Sequence, residues 1–183
     1  MSEFGNLEMT DDIAAIGCSS ESAVLGSARM PVVLGFGNVL LRDDGAGVQL
    51  TEILRVALGT AAGIFVDGGT MSFSLLPYLE ETDALLVIDA ADLHGAPGTL
   101  AMFEGAEMDR FLRISRRRSV HEIGLIDLLD MARLRGCLPS RRALLCVQPD
   151  RIDWGQELSP SVAEVLPHAA QQATELLTRW TLS

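Results

Sequence analysis

The residues of this chain best suited to chemistry are Asp44, Asp67, Asp89 and His121. Asp89 closes the apolar run Leu85-Leu86-Val87-Ile88, where an ionised carboxylate is costly unless it is paired or coordinated. Asp44 follows Asp43 and is flanked by Gly45 and Gly47, which leave space for something bulky. His121 lies four residues before Leu125, on the inward stripe of its predicted helix. It also falls in that helix's first turn, where the dipole disfavours imidazolium and keeps a lone pair available for a metal. Asp44, Asp89 and His121, each at a predicted strand end or helix start, form a three-ligand set with an open position. Two carboxylates and an imidazole suit a borderline divalent transition metal. Plainer roles compete at every position. Asp43 reads as an N-cap, Asp89 as the cap of the next turn, Asp67 as a turn residue and His121 as a satisfied core histidine. Asp67, at the end of the second predicted strand, also lies close enough to the same crevice to orient a ligand or act as acid or base. His94, in the loop after Asp89, is a reserve ligand. His168 falls off the stripe of the last helix, at the surface.

These side chains are positioned by alternating strands and helices. Pro31 to Phe36 is an apolar run ending in Gly35-Phe36-Gly37-Asn38, as expected of a buried strand entering a tight loop. Leu50, Ile53, Leu54, Ala57 and Leu58 follow helical spacing up to Gly59, placed as a C-terminal cap. Gly63 to Val66 is a second strand, running into Asp67-Gly68-Gly69-Thr70, and Ser72, Leu75, Leu76 and Leu79 mark a further helix. Ala84 to Ile88 is a third strand, and Thr99 to Phe103 one that turns back along an edge. Ser119 and Glu122 have capping-box spacing ahead of the stripe Leu125, Leu128, Leu129 and Ala132. Ala143 to Val147 is a strand stopped by Gln148-Pro149. The last helix opens with Ser159 as N-cap and Pro160 at its first position, and buries Val162, Val165, Leu166, Ala169, Ala173, Leu176, Leu177 and Trp180. The alternation predicts a three-layer α/β/α sandwich on a central, mostly parallel twisted sheet of about five strands. Residues 31–183 read as one domain. Residues 1–30, acidic and rich in Ser and Gly, read as a mobile extension.

Composition excludes several classes of function. The net charge is −11, so the surface repels nucleic acid and anionic lipid. No 18-residue apolar run is present to span a membrane. Three cysteines without CxxC spacing, and no basic-then-apolar opening, point to a reducing cytoplasm. All 14 cationic residues are arginine, so no Walker lysine exists. Gly35 and Gly37 supply only part of a dinucleotide fingerprint, and Asp43 and Asp44 place negative charge where a phosphate needs bare N–H groups. Neither HExxH nor GxSxG occurs. An arginine run from Arg110 to Arg118 reads as a solvated loop. Within it Arg116, Arg117 and Arg118 are candidates for anchoring acidic groups of a protein partner.

The segment Gly35-Phe36-Gly37-Asn38-Val39-Leu40-Leu41-Arg42-Asp43-Asp44-Gly45 resembles the opening of the nickel–iron hydrogenase maturation proteases. The resemblance continues through Asp67-Gly68-Gly69-Thr70, Ile88-Asp89-Ala90, Pro97-Gly98-Thr99, Val120-His121-Glu122-Ile123-Gly124-Leu125 and Gln148-Pro149, in order over about residues 31–180. It implies an α/β/α endopeptidase that removes the C-terminal extension of the hydrogenase large-subunit precursor after nickel insertion. The family's three metal-binding positions fall on Asp44, Asp89 and His121. The first is Glu in some relatives, so the shorter Asp44 side chain reaches less far. The nickel is expected to arrive in the substrate, with another divalent transition metal able to stand in, and the chain to act as a monomer. A non-proteolytic nickel-binding assembly factor is the alternative reading.

Overall fold

The structure, a computed structural model, describes residues 29–69, 73–115 and 120–182, with the side chains of 73, 115 and 120–123 outside the description. Five strands form one sheet: β1 (Val32–Phe36), β2 (Ile64–Gly69), β3 (Ala84–Ala90), β4 (Leu100–Glu104) and β5 (Arg141–Val147). Their order is β2-β1-β3-β5-β4, parallel throughout except that edge strand β4 runs antiparallel to β5. The helices are α1 (Ala46–Leu58), α2 (Leu76–Glu80), α3 (Ala106–Ser115), α4 (Val120–Leu134) and α5 (Pro160–Thr181). The expected sandwich and its turned-back edge strand are both present.

Strand residues alternate between two cores, as the two-residue period of a pleated strand requires. Val32, Leu34, Leu85, Val87, Leu144 and Cys146 pack towards α2, α3 and α4. Val33, Leu86, Ile88, Ala143 and Leu145 face α1 and α5. Both faces are covered, which explains why β1 and β3 are apolar along their whole length until Asp89. The α5 stripe is buried as expected, with Val165 half-buried. At roughly 1.5–3 kcal/mol for each large apolar side chain, this one helix contributes much of the second core.

The chain leaves β1 through α1 to β2 on one side, and later returns to place β3 on the other. The connections therefore diverge between β1 and β3, and in open α/β sheets ligands bind beyond the carboxyl ends of strands at such a divergence. Two expectations need correction. The arginine run is not all loop, since Arg110 and Arg113 lie on α3, whose Met108 and Leu112 are buried in the core. Its apolar spacing there was masked by the exposed charges. Arg116, Arg117, Arg118 and Ser119 lie outside the described residues, as does nearly all of the 1–30 extension. β3 also runs on through Asp89 to Ala90, two residues beyond the Ala84 to Ile88 expected.

Candidate functional site at the carboxyl ends of β1 and β3

Glycines bring α1 onto the sheet at the divergence. A Cβ on Gly47 would lie 2.3 Å from the Ile88 carbonyl oxygen and 2.4 Å from that of Phe36. Only a residue without a side chain lets the first turn of α1 press onto the ends of β1 and β3. The loop between β1 and α1 closes on itself just as tightly. Gly37 has φ of 126°, and a Cβ there would meet the Asp44 carbonyl oxygen at 1.8 Å. Gly45 and Gly47, expected to leave space for something bulky, instead permit close backbone approach, Gly47 to the strand ends and Gly45 to Val39, whose Cα a Cβ there would meet at 2.7 Å.

That closed loop holds two adjacent aspartates in different roles. Asp43 is fully buried, and its carboxylate accepts the backbone N–H groups of Asp150 and Arg151 (both 2.9 Å) and Ser159 (2.7 Å). It is not the N-cap of α1, whose N-cap is Gly45 with no side-chain cap bond. Burial pushes the Asp43 carboxyl up, but the N–H groups of Ser159, Arg151 and Asp150 and the Ser159 hydroxyl more than offset this and hold it below the usual range. Asp43 thus fixes the segment after β5, where sequence reasoning saw only a connection. That segment is bonded to the loop by Arg42 N–H to Gly155 O (2.7 Å), Gly155 N–H to Leu40 O (2.9 Å) and the Arg42–Asp153 ion pair (2.5 Å).

Asp44 lies in a 3-10 turn over Arg42–Gly45 and is 8% exposed; its Oδ2 accepts the Asn38 N–H at 2.8 Å. Asp89 is 3% exposed and one residue from the end of β3. Its parity with Leu85 and Val87 assigns it to the face that carries α4. His121 is the second residue of α4. The 15 residues of α4 span about 22 Å, the length of a strand, and the chain after them reaches β5 at its amino end. The first turn of α4 therefore lies at the carboxyl end of the sheet, on the face of Asp89. The His121 side chain is outside the described residues. Among the described residues no three His, Cys, Asp or Glu side chains form a metal cluster.

The remaining candidates take plainer positions. Asp67 is exposed at the end of β2, where its Oδ1 accepts the Gly69 N–H at 2.8 Å, the turn role that competed with a chemical one. Gly69 in turn accepts the Gly37 N–H at 3.0 Å, which ties β2 to the loop of Asp44. His94 is exposed beside Asp92, with φ of 56°. His168 is exposed on α5, bonded to Gln172. Sequence reasoning treated Gln148 as a strand stop. Its Oε1 accepts the Leu93 N–H at 2.7 Å and so holds the loop that follows Asp89. Its place directly after β5, facing a loop of turn residues, was the available signal.

The family model for hydrogenase maturation proteases matches residues 48–176. The chain is 38% identical over 151 residues to the hydrogenase expression/formation protein HupD of Rhodobacter capsulatus, covering 81% of this chain and 71% of that protein. It is 32% identical over 149 residues to the hydrogenase 2 maturation protease of Escherichia coli K12, covering 80% and 89%. The solved structure of the hydrogenase maturating endopeptidase HybD from E. coli superposes with a TM-score of 0.74 at 29% identity, covering 82% of this chain and 93% of that one. Among the described residues no helix is long and apolar enough to cross a membrane. Sequence motifs, fold and relatives agree: the chain belongs to the hydrogenase maturation protease family.

Proposed function

We propose that this chain is an endopeptidase that removes the C-terminal extension of a nickel-loaded hydrogenase large-subunit precursor, and that it reads the nickel through Asp44, Asp89 and His121. What supports this reading is that two buried carboxylates, Asp44 and Asp89, lie at the carboxyl ends of β1 and β3, with the first turn of α4 at the same end of the sheet. A carboxylate shielded from water makes a stronger ligand for a cation than an exposed one. The donor set fits: carboxylates and imidazole are accepted by borderline divalent ions, and three protein ligands leave positions for groups on the substrate.

In this reading the nickel belongs to the substrate and serves as the recognition element. Asp44 and Asp89 supply negative charge, and His121 an imidazole nitrogen. The cut itself is a hydrolysis. Water adds to the scissile carbonyl carbon, the C–N bond breaks, and the leaving amine takes a proton. Asp67, exposed at the end of β2 and tied by Gly69 to the loop of Asp44, is the side chain proposed to orient that water or to move its proton.

The test is incubation of nickel-loaded precursor with the chain, read by intact mass. A shortened large subunit is expected with the wild type and none with His121→Ala or Asp89→Asn. Cleavage by these variants at the wild-type rate contradicts the nickel-reading site. Binding of precursor without shortening favours the assembly-factor alternative.

A further inference from the structure

The two bonded loops beside the site carry an apolar surface that neither the fold nor the proposed chemistry uses. Trp154 is 78% exposed, Ile152 57%, Leu40 43% and Val39 39%. They form one surface because their backbones are joined: Leu41 bridges to Gly155, next to Trp154, and Leu40 O accepts the Gly155 N–H. The pair is rigid by construction, with Asp43 buried beneath it and accepting three N–H groups from the second loop. Arg42 and Asp153 neutralise each other at its edge. An exposed tryptophan amid aliphatic side chains, held by a fixed backbone and bordered by paired charge, has the composition of an interface centre with a polar rim.

We infer that Val39, Leu40, Ile152 and Trp154 form the docking surface for the folded protein whose metal Asp44 meets, and that this surface contributes affinity independent of the metal. The inference rests on the proposed function for the identity of that protein. The occupant follows from continuity: Val39 and Leu40 belong to the loop that carries Asp44 and stand out from it, while Asp44 itself is recessed. A free ion reaches a recessed carboxylate without touching them. A metal held inside a folded protein reaches it only if that protein covers the rim. The rigid loop pair lowers the ordering cost of docking, as expected where a preformed surface meets a large partner.

The experiment uses the full chain with nickel-loaded and nickel-free precursor, comparing wild type with Trp154→Ala, Trp154→Phe and Leu40→Ser. Trp154 is exposed, so melting temperatures are expected to stay at the wild-type value, which separates docking from folding. Trp154→Ala is expected to raise the KM for nickel-loaded precursor about 10–30-fold with kcat unchanged, and to weaken binding of nickel-free precursor by the same factor. Trp154→Phe is expected to recover most of the loss. An unchanged KM and unchanged binding overturn the inference while leaving cleavage by the wild type intact. Binding that falls in Trp154→Ala, in a wild-type chain that never cleaves, upholds docking and overturns the endopeptidase reading. A wild-type chain that neither binds nor cleaves precursor overturns both.

Discussion

The two ends of the sheet manage charge in different ways. At the amino ends, carboxylates meet arginines: Asp83 pairs with Arg141 at 2.8 Å, and Asp109 with Arg142 at 2.7 Å. At the carboxyl ends, the buried Asp43 accepts three backbone N–H groups, and Asp44 accepts the N–H of Asn38. An N–H group satisfies a carboxylate without cancelling its charge, whereas a guanidinium does both. The guanidinium pairs cancel charge at one end, while at the other the N–H groups around Asp43 satisfy its carboxylate and leave its charge in place, with Arg42 and Asp153 paired at the surface.

The sharpest way to break this contrast is to change the anionic end. Asp44→Ala, Asp89→Ala and His121→Ala are each expected to reduce processing of nickel-loaded precursor by more than the roughly 10–100-fold that loss of an outer-shell partner costs a metal site. Urea midpoints should accompany these rates, because Asp43→Ala is expected to behave in the opposite way. It leaves three backbone N–H groups without their acceptor, that of Ser159 buried and those of Asp150 and Arg151 partly so, and should cost about 2–4 kcal/mol of stability. Adjacent aspartates would then separate, one by rate and one by stability. Equal stability losses in Asp43→Ala and Asp44→Ala would erase the distinction.

Glycine substitutions compare the same two ends by shape. Gly47→Ala forces a methyl into two strand carbonyls and is expected to cost about 2 kcal/mol, with loss of processing as α1 shifts. Gly59→Ala, at the other end of α1, meets nothing within 4 Å but has φ of 72°. Its ψ of 171° lies outside the left-handed helical basin, in a region nearly exclusive to glycine, so about 1–3 kcal/mol is expected there, with processing unchanged. Thermal unfolding together with intact-mass cleavage checks both.

The smallest effects concern pH. Arg142 holds the Asp109 carboxyl below its usual range chiefly through their hydrogen bond, against burial, which pushes it up. Asp43 is lowered as well. Both folded values lie below the unfolded value of about 3.9, so their stabilisation is complete above that pH and is lost as pH falls through the folded values. Stability is expected to decline from about pH 4 downwards, and Asp109→Asn to flatten part of that decline. An acid limb of identical slope in Asp109→Asn would contradict the assignment.

Much of this fold was legible in the sequence because its strands are continuous apolar runs and its helices carry clear stripes. The turned-back edge strand was readable from Thr99 to Phe103, since its length and position after Pro97-Gly98 leave it little else to be. α3 was obscured because Met108 and Leu112 are embedded among Arg110, Arg113 and two acids, and charge dominated the reading. Asp89 stood out because a carboxylate inside an apolar run has few structural uses. Asp43 could not be distinguished from a cap, because its partners lie 107, 108 and 116 residues away. Long-range bonds of that kind leave no local pattern. The exposure of Trp154 was hidden for a related reason: nothing in Asp150 to Gln156 reveals that Leu40 and Arg42 hold it in place.

The nickel K-edge absorption spectrum of the precursor, recorded alone and after mixing with the chain and freezing before turnover, probes the central claim most directly. New oxygen and nitrogen scatterers are expected on mixing with wild type, including the multiple-scattering signature of an imidazole that disappears with His121→Ala. A nickel spectrum that does not change when the chain is added, under conditions where the precursor is cut, would contradict the account.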